Sequence, residues 1–124
     1  MKAVEHFEKT GELNLNANIQ FGEGGAGTFS DGKLTTRVGD PLCAFVTDAF
    51  LQHGAPADIA WRQKPHVGTD LLRGIIRSIR QEIIALGGEV RFNTALTGLK
   101  IENGALASVE TTAGDFACEQ LILA

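Results

Sequence analysis

The sequence predicts an α/β chain of the α+β kind: a long helix packed on a sheet with an antiparallel β-meander, preceded by a glycine-rich loop and short helices. Three observations carry that expectation. An apolar stripe with the helical period runs from Leu72 to Leu86, the period drops to two from Val90 onward, and Asn103-Gly104 separates two strand-like runs. Five of the fifteen glycines crowd between Gly22 and Gly32, which marks that stretch as loop.

In chain order, residues 1–39 form the glycine-rich region: a short helix through Val4-Glu5-His6-Phe7, a turn at Gly11, an Asn-rich polar stretch, then the glycine cluster. Residues 40–66 are helical. Asp40-Pro41 reads as an N-cap followed by proline at the first helical position; Leu42, Phe45, Val46, Ala49 and Phe50 recur at helical spacing, and Gly54 closes the helix. Pro56 to Trp61 adds one helical turn, and Pro65 turns His66 away from a continuous helix. Residues 67–124 hold the long helix, the meander and a returning strand. Thr69 or Asp70 caps the helix, Leu72, Ile75, Ile76, Ile79, Ile83, Ile84 and Leu86 line its apolar face, and Arg73, Arg77 and Arg80 take the wet side. Gly74 is a flaw in it, and Gly87-Gly88 ends it. Val90, Phe92 and Thr94 alternate as a strand. Leu99–Glu102 and Ala105–Thr112 flank a type I′ turn at Asn103-Gly104, and Ala113-Gly114 turns the chain into Phe116-Ala117-Cys118. Leu121–Ala124 is wholly apolar, as a buried parallel strand would be, and the chain stops there, which reads as an excised piece.

The bulk composition narrows the function classes. Hydrophobic residues at 44% and charged residues at 21% are globular values. A net charge of -4 lacks the basic footprint of a nucleic-acid binder. No run approaches the roughly 20 apolar residues of a membrane span, and Met1–Lys9 has no signal-peptide core. Cys43 and Cys118 stand in neither a metal-ligand nor a redox spacing, so no metal is expected; reduced thiols and a cytoplasmic setting are.

Two phosphate motifs match by letter and fail by context. Gly22-Glu23-Gly24-Gly25-Ala26-Gly27 satisfies G-x-G-x-x-G, yet Thr28-Phe29-Ser30-Asp31-Gly32 follows where a helix should start under the pyrophosphate. Gly27-Thr28-Phe29-Ser30-Asp31-Gly32-Lys33 satisfies G-x-x-x-x-G-K, but Leu34 stands where a P-loop needs Ser or Thr for magnesium. What survives is bare backbone able to offer N–H donors to a ligand, or a tight turn stack without one.

Three stretches carry a resemblance. The run from Asn18 through Phe21-Gly22-Glu23-Gly24-Gly25-Ala26-Gly27-Thr28-Phe29-Ser30-Asp31-Gly32-Lys33 to Arg37 resembles the signature of a bacterial family of uncharacterised FAD-dependent, or NAD(FAD)-utilising, dehydrogenases. Lys64-Pro65-His66-Val67-Gly68-Thr69-Asp70 looks like that family's second signature, and Gly87 through Ala124 is similar to the late FAD-domain segment of glutathione-reductase-type flavoproteins. The resemblance implies part of an FAD/NAD(P)-binding domain. FAD would be the cofactor, NAD(P) a candidate electron partner, and the substrate a small molecule. The remainder of a parent polypeptide would complete the site. Gly24, Gly25, Ala26, Gly27, Thr28 and Ser30 would lie beside the cofactor, and Leu96 would meet adenine through its main chain. A first βαβ unit is absent from this sequence, so the isolated chain is expected to be inactive.

Among single residues, His66 is the candidate proton donor or anion contact, the alternative being a histidine that finishes a turn. Asp31 and Lys33 are either a charge pair or substrate contacts. His6 and His53 read as surface residues without partners. A nucleotide- or anion-binding module using Gly22–Lys33 without catalysis is the competing function.

Overall fold

The structure, a computed structural model, describes every residue except Met1, Asn18, Gln20, Phe21, Gly22, Asp31, Gln63, Lys64 and Ala124, and the side chain of Lys2. Among the described residues it holds three α-helices, two short 3-10 turns and one antiparallel sheet. The chain divides into two units, Met1–Gly88 and Glu89–Ala124.

The first unit contains α1 (Lys2–Thr10), α2 (Cys43–Gln52) and α3 (Thr69–Ala85). Helix α1 ends at Gly11, whose N–H reaches Phe7 O at 2.8 Å. Asp40-Pro41 does not cap α2 as expected: the cap is Leu42, and Asp40 starts a turn ahead of the helix, its carboxylate accepting the Leu42 N–H at 2.7 Å and its carbonyl the Cys43 N–H. The end of α2 is a Schellman motif, with Ala55 N–H on Phe50 O and Gly54 N–H on Leu51 O. Helix α3 closes the same way, with Gly88 N–H on Ile83 O and Gly87 N–H on Ile84 O. Its start corrects the expectation. Thr69 and Asp70 lie inside the helix; Gly68 is the cap, without a side-chain bond, and its carbonyl accepts the Leu72 N–H.

The core of this unit is small. Ile59, Val67, Leu72 and Ile75 are buried, with Leu34, Phe50, Leu51, Ile76 and Ile79 packed around them. Leu72 and Ile75 are three residues apart on α3, and each contributes about 1.5–3 kcal/mol by burial. The further stripe residues Ile83, Ile84 and Leu86 remain exposed. Gly74 lies on the exposed face, with open space where a Cβ would stand. Gly74→Ala is therefore expected to raise stability by about 0.5–1 kcal/mol, which thermal unfolding would register as a higher midpoint; a lowered midpoint would contradict the open face.

The second unit is a meander, β1 (Leu96–Glu102), β2 (Ala105–Thr111) and β3 (Gly114–Ala117), in the order β1-β2-β3. Glu102 pairs with Ala105 around Asn103 and Gly104, whose φ angles of 52° and 79° are those of the type I′ turn. Two expected strands are not formed. Residues 90–94 have no regular structure, and Asn93 takes a left-handed φ of 53°, which breaks the alternating run before it finds a partner. Leu121, Ile122 and Leu123 are likewise outside the sheet and exposed, Ile122 at 90%; Ala124 lies outside the described residues. The described sheet is wholly antiparallel, so the coarse α+β class holds and the buried parallel strand does not. No described helix is long and apolar enough to cross a membrane.

Candidate functional site

Among its described residues the glycine cluster forms neither a dinucleotide-binding helix nor a P-loop. Gly24, at φ 84°, leads into a single 3-10 turn, Gly25–Thr28, closed by Phe29 N–H on Ala26 O at 3.0 Å. Thr28 is buried and donates its hydroxyl to Gly25 O at 2.9 Å. The turn lies against α3. Arg73 grips the Thr28 carbonyl with Nε at 3.1 Å and Nη2 at 2.7 Å, and its guanidinium stands 5.6 Å from the Phe29 ring centroid. A Cβ on Gly27 would come within 3.1 Å of Leu72 Cδ2, so this glycine lets the turn sit on the helix. Arg80 pairs with Glu23 at 2.6 Å, tying the front of the loop to the same helix.

Past the turn, the chain pairs with the segment before α3. Leu34 N–H donates to Pro65 O and Val67 N–H to Gly32 O, each at 3.0 Å, making an antiparallel bridge with Lys33 opposite His66. Those two bonds flank the pair, so Lys33 and His66 are a non-hydrogen-bonded pair whose side chains share one face. Both are exposed. Beneath them the backbones nearly touch: a Cβ on Gly32 would lie 2.8 Å from Gly68 N and C. Gly32 and Gly68 both have positive φ, 67° and 84°.

The candidate residues thus fall into groups. Gly24, Gly25, Ala26, Gly27 and Thr28 form one turn, and exposed Ser30 follows it on a bend. Lys33 and His66 meet across the bridge. His66 is held in it by the main-chain groups of Pro65 and Val67 on either side, and its ring has no hydrogen bond or ion pair among the described residues. Asp31, the other substrate candidate, lies outside the described residues. Leu96 belongs to the second unit as the first residue of β1, exposed and opposite Thr111.

Sequence reading missed two features. His53 is no free surface residue: Nδ1 lies 2.9 Å from Ser78 Oγ and Nε2 2.6 Å from Glu82 Oε2, with the side chain 12% exposed. It pins the end of α2 to α3. Ser78 and Glu82 are one helical turn apart, a spacing visible in sequence, but nothing there names His53 as their partner. His6 also has a partner, Glu12, at 2.8 Å. The second missed feature is a groove lined by Glu23, Thr28, Phe29, Arg73, Ile76, Arg77 and Arg80. Cys43 and Cys118 are free thiols, and Cys43 lines a mostly apolar cleft with Leu34, Val46, Phe50 and Pro65.

No family model matches the chain. It is 53% identical over 123 residues to an uncharacterised protein of Clostridium beijerinckii. That alignment covers 99% of this chain and 23% of the relative, so the chain spans about a quarter of that protein's length.

Proposed function

We propose that the chain is the loop-bearing part of a flavin-dependent oxidoreductase, a larger polypeptide that moves hydride between a small-molecule substrate and FAD. The observation that carries this reading is the Lys33–His66 bridge, which joins the two signature stretches and sets a cation and an imidazole side by side beyond the glycine turn. Residues as far apart in sequence as Lys33 and His66 need not meet; these do so through paired backbone and through Gly32, where an added Cβ would run into the Gly68 backbone. The match to a quarter of a longer relative agrees with a chain that works as part of a larger protein.

The turn from Gly24 to Ser30 is available to hold FAD, although the tight surroundings of Gly24, Gly27 and Gly32 are already explained by Thr28, Leu72 and Gly68. Leu96, the stacking of α3 on the sheet and a partial FAD/NAD(P)-binding domain belong to the same proposal. FAD, when bound, supplies the electron chemistry and the protein supplies position and electrostatics. Lys33 would favour negative charge developing on substrate, and the unpartnered ring of His66 would give or take a proton. The complete polypeptide is expected to purify with flavin absorbance, or to acquire it on adding FAD, and to be bleached by NADH or NADPH if either is its electron partner. A colourless protein that binds no added FAD would end this reading and leave the anion-binding module on Gly22–Lys33.

A further inference from the structure

The groove on α3 is a charged feature that the flavin reading does not use. Arg73, Arg77 and Arg80 stand at i, i+4 and i+7 and line it with Phe29 and Thr28, and among the described lining residues Glu23 supplies the carboxylate. The chain as a whole carries a formal charge of -4, so three guanidinium groups facing one cleft are a local reversal of sign. Its walls are mostly polar, whereas the other described clefts of this unit are mostly apolar. A volume of about 360 Å³ lies within the usual range of small-ligand clefts.

Two of the three arginines are held in place. Arg73 is fixed by the Thr28 carbonyl and Arg80 by Glu23. Arg77, between them and exposed, makes no ion pair or hydrogen bond among the described residues. The row begins one step earlier at exposed Asp70, at i−3 from Arg73, and holds arginine at each of the next three steps. At 1.5 Å rise per residue the arginine part of the row extends about 10 Å along the helix, too long for one compact carboxylate and suited to linked phosphates. Guanidinium forks match phosphate oxygens two at a time, which a lysine row would not do.

We propose that this groove is a binding site for a diphosphate-bearing small molecule, with Arg77 as its central contact and Glu23 as an acid that the incoming anion must displace from Arg80. The site does not rest on the flavin reading, and it lies along α3 and not on the glycine backbone.

The test is calorimetric titration of inorganic pyrophosphate, and separately of ADP, into the complete protein with whatever flavin it retains. Binding of both would make the diphosphate itself the determinant; binding of ADP alone would add the nucleoside; either supports the site. Arg77→Ala should weaken the binding by about tenfold or more, as loss of a charge-assisted contact does. Glu23→Gln should tighten it several-fold, a gain that a merely structural Glu23 would not produce. Arg77 is exposed, so its variant should unfold at the wild-type temperature. Absence of binding by both probes would overturn the proposal, as would affinities unchanged in Arg77→Ala. Flavin content is read from the visible spectrum of the same sample, so failure of the flavin reading is scored separately.

Discussion

Gly32→Ala should loosen the whole first unit, lowering its stability by about 2–5 kcal/mol. The added Cβ would lie 2.8 Å from two backbone atoms of Gly68, and backbone cannot swing aside as a side-chain tip can. The substitution also puts an L side chain at φ 67°. Relief requires the two segments to part, which breaks the Leu34–Pro65 and Val67–Gly32 bonds together and uncovers Val67, one of four buried core residues among those described. Gly68→Ala is the instructive comparison. Open space surrounds its Cβ position, so it meets the strain of φ 84° alone and should cost less. Thermal unfolding followed by the fluorescence of Trp61, the chain's single tryptophan, would rank the two. Equal losses would mean that conformation, and not the backbone contact, sets the requirement for glycine at position 32.

His66→Ala should behave in the opposite way, leaving the fold alone and slowing the proposed reaction. The bridge uses main-chain groups of its neighbours, and the imidazole is exposed without a side-chain partner, so unfolding should shift by no more than about 0.5 kcal/mol. In the complete, flavin-loaded protein the substitution should slow flavin reduction by roughly 10²–10⁴-fold, the size of a general acid or base contribution. Stopped-flow reduction measures it directly. Reduction at the wild-type rate would reduce His66 to a bridge position whose side chain is idle.

Local signals in this sequence were legible and pairings at a distance were not. Gly54 and Gly87-Gly88 end their helices, and Asn103-Gly104 forms the expected hairpin turn, because each depends on a few adjacent residues. The stripe on α3 was legible as helix, but only Leu72 and Ile75 of it are buried here. Apolar periodicity says that a face wants cover without saying where the cover comes from. The same gap misled at Leu121–Leu123 and at Val90–Thr94, where composition suited a strand but a strand needs a neighbour. Thr69 and Asp70 looked like caps because cap chemistry is written in residue types; Gly68 fills the position through an extended, positive-φ backbone that sequence does not display. At the candidate site, the glycine-rich stretch and the stretch ahead of α3 stood out by their residues. That Lys33 faces His66, that Arg73 holds Thr28, and that His53 bridges Ser78 and Glu82 are facts of long-range closure.

The bridge at Lys33 and His66 also turns the intervening chain into a ring. Everything from Leu34 to Pro65, α2 included, is a loop whose two ends are tied at one place. The entropy of closing such a loop grows only with the logarithm of its length, about 0.6 kcal/mol for each doubling. Inserted residues at an exposed bend of the ring, such as Val38-Gly39 ahead of α2, would therefore weigh little on the knot that holds it. The same physics makes the tie insensitive to the length of the ring but not to its contents, since Ile59, Phe50 and Leu51 belong to the core and His53 is pinned to Ser78 and Glu82; added length is tolerated at such exposed stretches, not within α2.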